Sequence, residues 1–238
     1  SKALEKFWTG FVPYLAVLGV FAGLLMKQPH FSGTVVIVMV GLILLFTAGA
    51  RIWHLAIIGL IGVAGGAGLI ISAPYRIKRV ISFLDPFQDK LDSGYQIIQS
   101  LYAIGSGGLF GLGLGRSRQK FLYIPEPHND FIFAILCEEL GLVGALVTIT
   151  LFGALIWRGI KIAMNAPDTF GTLIATGITA LIAIEVIINI AVVTSSMPVT
   201  GMPLPFFSYG GTAMLVMMSC VGIMLNISKQ GAAKGAKK

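Results

Sequence analysis

Between Arg116 and Asp130 the chain places three cations, Arg116, Arg118 and Lys120, ahead of Glu126, His128 and Asp130. A carboxylate in a partly dehydrated cleft can take a proton from an attacking hydroxyl. Cations beside it can hold an anionic group such as a diphosphate. Asp130 is therefore a candidate general base, and Glu126, set between two prolines, either positions substrate or serves as an alternative base. Glu126, His128 and Asp130 also have the oxygen and nitrogen donors for a divalent ion such as Mg or Mn. A purely structural reading stays open: Asp130 or Asn129 can cap the apolar helix that follows, worth about 0.5 to 2 kcal/mol.

Upstream of the cations runs GSGGLFGLGLG, whose glycines permit unusual dihedrals and close backbone approach. No Gly-Lys-Ser/Thr ends the run and no strand precedes it, so a nucleotide loop is not indicated. Re-entrant backbone packed on helices is the plainer reading, with backbone amides beside Arg116 and Arg118 offered to an anion. Downstream, Glu138, Glu139 and Glu185 lie inside apolar stretches, where a carboxylate costs several kcal/mol unless paired, hydrated or protonated. They suit either an ion path or hydrogen bonding between helices. The uncharged run TGMPLPFFSYGG supplies Ser208, a hydroxyl in a wall or lid, without the His and acid of a nucleophilic triad.

These groups are carried by membrane-length elements. The 238 residues are 56% hydrophobic and only 11% charged, with a mean hydropathy of +0.89, outside the range of soluble globular domains. Apolar stretches long enough to cross the hydrocarbon layer lie at 11–27, 33–49, 53–73, 131–157, 169–195 and 210–228. The expected fold is an all-α polytopic membrane protein of six transmembrane helices. It divides into 1–73 with three helices, a long helical extracytoplasmic loop at 74–129, and 130–238 with three more helices and a basic tail. In the loop, cations alternate with apolar residues from Arg76 to Leu84 before Asp85-Pro86, as in a short interfacial helix. Tyr95 to Ile104 offers a second. Within 53–73, the Gly62/Gly66 spacing suits close approach of a neighbouring helix.

Short-loop cations put both ends of the chain on the cytoplasmic side. The net charge of +7 is then divided between two membrane faces and forms no single basic surface for nucleic acid; the tail cations meet membrane lipids. Cys137 and Cys220 sit in apolar stretches as free thiols, and no disulfide is expected. The chain starts without Met and shows no cleavable signal, as expected of a portion of a longer protein.

Four long runs, FLDPF, SGYQIIQSLYAIGSGGLFGLGLG, QKFLYIPEPHNDFIFAILCEELG and PVTGMPLPFFSYGG, stand in an order that resembles the shape, elongation, division and sporulation (SEDS) family, nearest its FtsW and SpoVE branch. That family has ten spans, and this chain resembles the last six. The resemblance implies a peptidoglycan glycosyltransferase of the bacterial cytoplasmic membrane. It would polymerise lipid II with inversion, in division or sporulation, beside a class B penicillin-binding protein. It implies Asp130 as catalytic acid/base residue, with Lys120, Arg116, Arg118, Glu126, His128 and Ser208 around the substrate. A lipid II flippase, or a scaffold for the penicillin-binding protein, is the alternative. His30, where many relatives have an acid, and Glu185, where relatives more often have Gln, depart from the pattern.

Overall fold

A computed structural model describes residues 12–28, 31–87, 93–119 and 128–235. Lys120, Glu126 and His30 lie outside them. The described residues form eight helices and no strand: α1 (Val12–Lys27), α2 (Phe31–Thr47), α3 (Ile52–Ile71), α4 (Pro74–Leu84), α5 (Ser93–Gly107), α6 (Ile132–Met164), α7 (Thr169–Val193) and α8 (Gly211–Gly235). Four of them, α3, α6, α7 and α8, are long and apolar enough to cross a membrane. The other two apolar helices, α1 and α2, are 16 and 17 residues long. The six apolar stretches thus appear as six helices, consistent with an all-α polytopic membrane protein.

By internal packing the chain divides into two units: Ser1–Ala67 with Ile156–Ile184 and Met218–Lys238, and Gly68–Leu155 with Glu185–Met217. In the first unit α1 packs on α2, where Gly41 admits the Leu18 side chain; a Cβ there would lie 2.8 Å from Leu18 Cδ1. Leu45 and Ala50 seal the α2–α3 turn with Leu15, Leu55 and Ile58. Asp168 starts α7 by accepting the Gly171 N–H at 2.7 Å, satisfying one of the orphan amides of a helix N-terminus. The close packing expected at Gly62 and Gly66 is not made among the described residues: no atom lies within 4 Å of a Cβ built on either. Small residues permit a close helix contact without supplying the partner.

The second unit carries the connection from α3 to α6. Pro74 opens α4 at a position where its missing N–H is no loss. The helix stops at Asp85, whose carboxylate accepts the Phe87 N–H. After α4 comes α5, which buries Ile97, Ser100 and Ala103; Ser100 Oγ donates to the Val193 carbonyl at the end of α7, at 2.8 Å.

The main departure from expectation is inside α6. Gly141 has φ 66° and ψ −165°, a conformation open essentially to glycine alone, and it interrupts the helical hydrogen bonds. The glycine-rich run after α5 fills the gap. Leu112 and Gly113 donate their N–H groups to the Glu138 and Glu139 carbonyls, each at 3.0 Å, while Leu142 and Val143 donate to the Gly108 and Leu109 carbonyls at 2.9 and 3.2 Å. Four backbone groups freed by the break are thereby paired, as hydrocarbon-depth backbone requires. No side chain fits in this splice. A Cβ at Gly107 would overlap the Cys137 carbonyl, one at Gly111 the Glu139 carbonyl, and one at Gly141 the backbone of Leu109 and Gly111.

Candidate functional site

His128, Asn129 and Asp130 form a turn just ahead of α6. The Phe131 carbonyl accepts from the Ala134 and Ile135 amides, so Phe131 occupies the capping position and Asp130 stands one residue before it. Phe131 is buried at 1% exposure, which anchors the turn, while Asp130 is half-buried and His128 exposed.

Three contacts lock this turn to α7 and the segment following it. The His128 carbonyl accepts the Tyr209 N–H at 2.9 Å. Ser208 Oγ donates to the Asn129 carbonyl at 2.5 Å, and Asn189 Nδ2 donates to the Asp130 carbonyl at 2.9 Å. The same Asn189 nitrogen donates to the Met202 carbonyl at 2.7 Å; two carbonyl partners fix the orientation of the amide. The Asp130 carboxylate faces Gly201, where a Cβ would lie 3.3 Å from Oδ2. Gly201 has φ 67°, so the turn that admits the carboxylate favours glycine for its backbone conformation, and a side chain there would also crowd the carboxylate.

Ser208 also accepts the Leu204 N–H at 2.7 Å. Its hydroxyl is therefore committed to two backbone partners, as suits a residue in a wall or lid. Loop closure here carries Phe206 at φ 66°, a strained conformation for a bulky residue, and sets the Phe207 ring 5.8 Å from that of Phe152 on α6. Beside them is an apolar notch of about 160 Å³ lined by Thr148, Leu151, Leu155 and the three rings. Ser208→Ala removes the hydrogen bonds to the Leu204 amide and the Asn129 carbonyl, so we expect a loss of about 1 to 3 kcal/mol in stability, visible as a lowered melting temperature in detergent.

The cationic segment is fastened to α6 by a carboxyl group that the sequence marked only as an intramembrane acid. Glu138, at 0% exposure, accepts from Ser117 Oγ at 2.5 Å, the Arg118 N–H at 3.0 Å and the Gln119 N–H at 3.3 Å. Glu139 accepts the Ser117 N–H at 3.3 Å. Arg116 and Arg118 remain exposed; the Arg118 backbone is fixed to a point eight residues past Asp130, about 12 Å along the chain at helical rise, and the Arg116 N–H donates to the Gly113 carbonyl at 3.1 Å. The amides of Gly111, Leu112 and Gly113 are bonded to carbonyls. These three amides are therefore not open to an anion.

His128, Asp130 and Ser208 are thus brought together, and Arg116 and Arg118 belong to the same unit; Lys120 and Glu126 lie outside the described residues. Among the described residues no three His, Cys, Asp or Glu side chains group to hold a metal ion. Asn189 and Ser117 were missed. A polar Asn inside an apolar helix is the signal that could have found the first; Ser117 gave none.

A family model described as "Cell cycle protein", covering FtsW, RodA and SpoVE, matches residues 1–233. Stage V sporulation protein E of Bacillus subtilis is 54% identical over 96% of this chain and 63% of its own length. A probable peptidoglycan glycosyltransferase FtsW of Geobacter is 42% identical over 97% of this chain and 63% of its own. The chain therefore spans less than two thirds of the length of these relatives. A solved peptidoglycan synthase complex, described as coordinating polymerization and crosslinking, aligns with TM-score 0.75 at 29% identity, over 97% of this chain and 66% of that one. The crystal structure of Thermus thermophilus rod shape determining protein RodA aligns with TM-score 0.60 at 27% identity, over 96% and 60%. On sequence and fold alike, this chain belongs to the FtsW/RodA/SpoVE family of cell cycle proteins.

Proposed function

We propose that this chain carries the reaction centre of a peptidoglycan glycosyltransferase that polymerises lipid II at the outer face of the bacterial cytoplasmic membrane, with Asp130 as general base. The observation that carries the reading is the fixed placement of the Asp130 carboxylate against Gly201, in a turn held by Asn189 and Ser208. Asp130 takes the proton of the acceptor sugar's 4-hydroxyl as its oxygen attacks the donor's anomeric carbon. The bond from that carbon to the diphosphate breaks, and its electron pair leaves on undecaprenyl diphosphate. A single displacement inverts the anomeric carbon. Arg116 and Arg118, with Lys120 beyond the described residues, neutralise the departing diphosphate. The exposed His128 would contact the sugars in this reading, as would Glu126.

Mg²⁺ is typically held by one or two carboxylates together with substrate phosphates, so Asp130 fits such an ion, or Mn²⁺, only with the diphosphate present. When bound it would add charge neutralisation at the leaving group. The glycosyltransferase name of the FtsW relative and the synthase complex support the activity and a crosslinking partner, a class B penicillin-binding protein. The short-loop cations support an orientation with both ends of this chain cytoplasmic.

The flippase alternative needs an acidic path through the bilayer. Of its three carboxylates, Glu138 and Glu139 are occupied in anchoring the cationic segment, which favours polymerisation. Purified protein containing this segment and the rest of the family fold, supplied with fluorescent lipid II in liposomes, should form glycan polymer of inverted configuration. Transbilayer movement of lipid II above an empty-vesicle control, with no polymer, would reverse the choice.

A further inference from the structure

Where α6 and α8 end, the first unit carries a cavity of about 330 Å³. Arg158 and Lys161 of α6 with Asn165 just past its end form one wall, and Ser228, Gly231 and Ala232 of α8 form the other. Neither wall contains an acidic residue. Across 156–184 and 218–235 the chain has one carboxylate, Asp168, against Arg158, Lys161, Lys229 and Lys234. Asp168 Oδ1 accepts from the start of α7, and Lys234 Nζ is drawn to the Pro167 carbonyl at 2.6 Å. The cavity's floor is closed because the helices meet there: a Cβ on Gly231 would overlap the Asn165 carbonyl.

The depth of this cavity is marked by Trp157, 56% exposed, with Lys161 Nζ 4.5 Å above its ring. Exposed tryptophan on a membrane helix settles at the headgroup level, and Ile160 of α6 and Leu225 of α8 are exposed apolar residues that suit acyl chains. Two cations one turn apart, small residues opposite them and apolar surface alongside match a group that is anionic at one end and greasy at the other. Basic notches between membrane helices of this kind receive phospholipid headgroups.

We propose that the Arg158–Lys161 notch binds the phosphate of an anionic phospholipid, bridging α6 and α8, and that this site is separate from the glycosyl-transfer reading. The test titrates the full chain in detergent with phosphatidylglycerol and counts bound lipid by native mass spectrometry. Arg158→Gln and Lys161→Gln should each weaken binding about fivefold, the contribution of one cation near an anionic surface. Lys161→Arg should retain it. Ala232→Leu, which fills the notch and keeps both charges, should lose it, while Arg51→Gln, outside the notch, should not.

Four outcomes overturn the proposal: equal retention by the Arg158→Gln/Lys161→Gln double variant, equal loss in Arg51→Gln, equal retention of phosphatidylcholine, or displacement of the lipid by equimolar inorganic phosphate. The last would mark a free-anion site. Melting temperatures recorded alongside separate lost binding from lost folding, and should any variant fail to fold, Lys161→Arg and Ala232→Leu still decide the matter.

Discussion

Asp130→Ala, made in a protein that also carries the remaining helices of the family fold, should lower lipid II polymerisation by two to four orders of magnitude, the usual contribution of a positioned general base. Asp130→Asn should do nearly as much damage, because an amide keeps the shape and loses the proton acceptor. Neither change removes the turn's bonds to Tyr209, Ser208 and Asn189. The contacts that hold the turn use the backbone carbonyls of His128, Asn129 and Asp130, and these survive truncation of the side chain. The combination is diagnostic: initial rates of polymer formation collapse while the melting temperature stays near wild type. A purified Asp130→Ala protein that polymerises at the wild-type rate would remove Asp130 from the chemistry, whatever else the site contains.

Glu138→Ala attacks the same reaction from behind. Its carboxyl group is wholly buried and accepts from one hydroxyl and two amides, so truncation removes three hydrogen bonds. At about 1.5 to 3 kcal/mol for each bond to a charged group, the loss is a large fraction of a typical domain's stability of about 5 to 15 kcal/mol. The expected result is a markedly lowered melting temperature, faster amide exchange at 117–119, and polymerisation reduced together with it as Arg118 loses its fixed backbone. Glu138→Gln should be milder, since its amide keeps one acceptor oxygen. If a flippase path through Glu138 were the true role, Glu138→Gln would instead halt transport and leave the exchange at 117–119 unchanged.

Much of this was legible before any coordinates. Hydropathy places the six apolar helices to within a few residues at most boundaries, because burial in lipid demands long apolar runs. Pro74 and the Asp85-Pro86 pair bound α4 correctly through local backbone rules. Asp130 stood out because a polar turn meets an apolar run there. The rest depends on contacts distant in sequence. Gly141 looks like any packing glycine in an apolar stretch, and only its pairing with 108–113 reveals the break. The hold on Arg118 and Gln119 passes through backbone amides, which carry no residue signature. Glu138 was visible as a costly acid but not as an anchor, Ser208 as a hydroxyl but not as a latch, and the glycines of α3 as a contact surface without a contact.

The splice at Gly141 bears on how the chain is made. Synthesis runs from the N-terminus, so the patch at 108–113 is produced before the gap it fills at 138–143. A nascent α6 entering the bilayer thus finds its missing partners already waiting. In a circular permutant that delivers α6 first, the same four backbone groups would face lipid alone, and integration into the membrane should stall until the patch arrives.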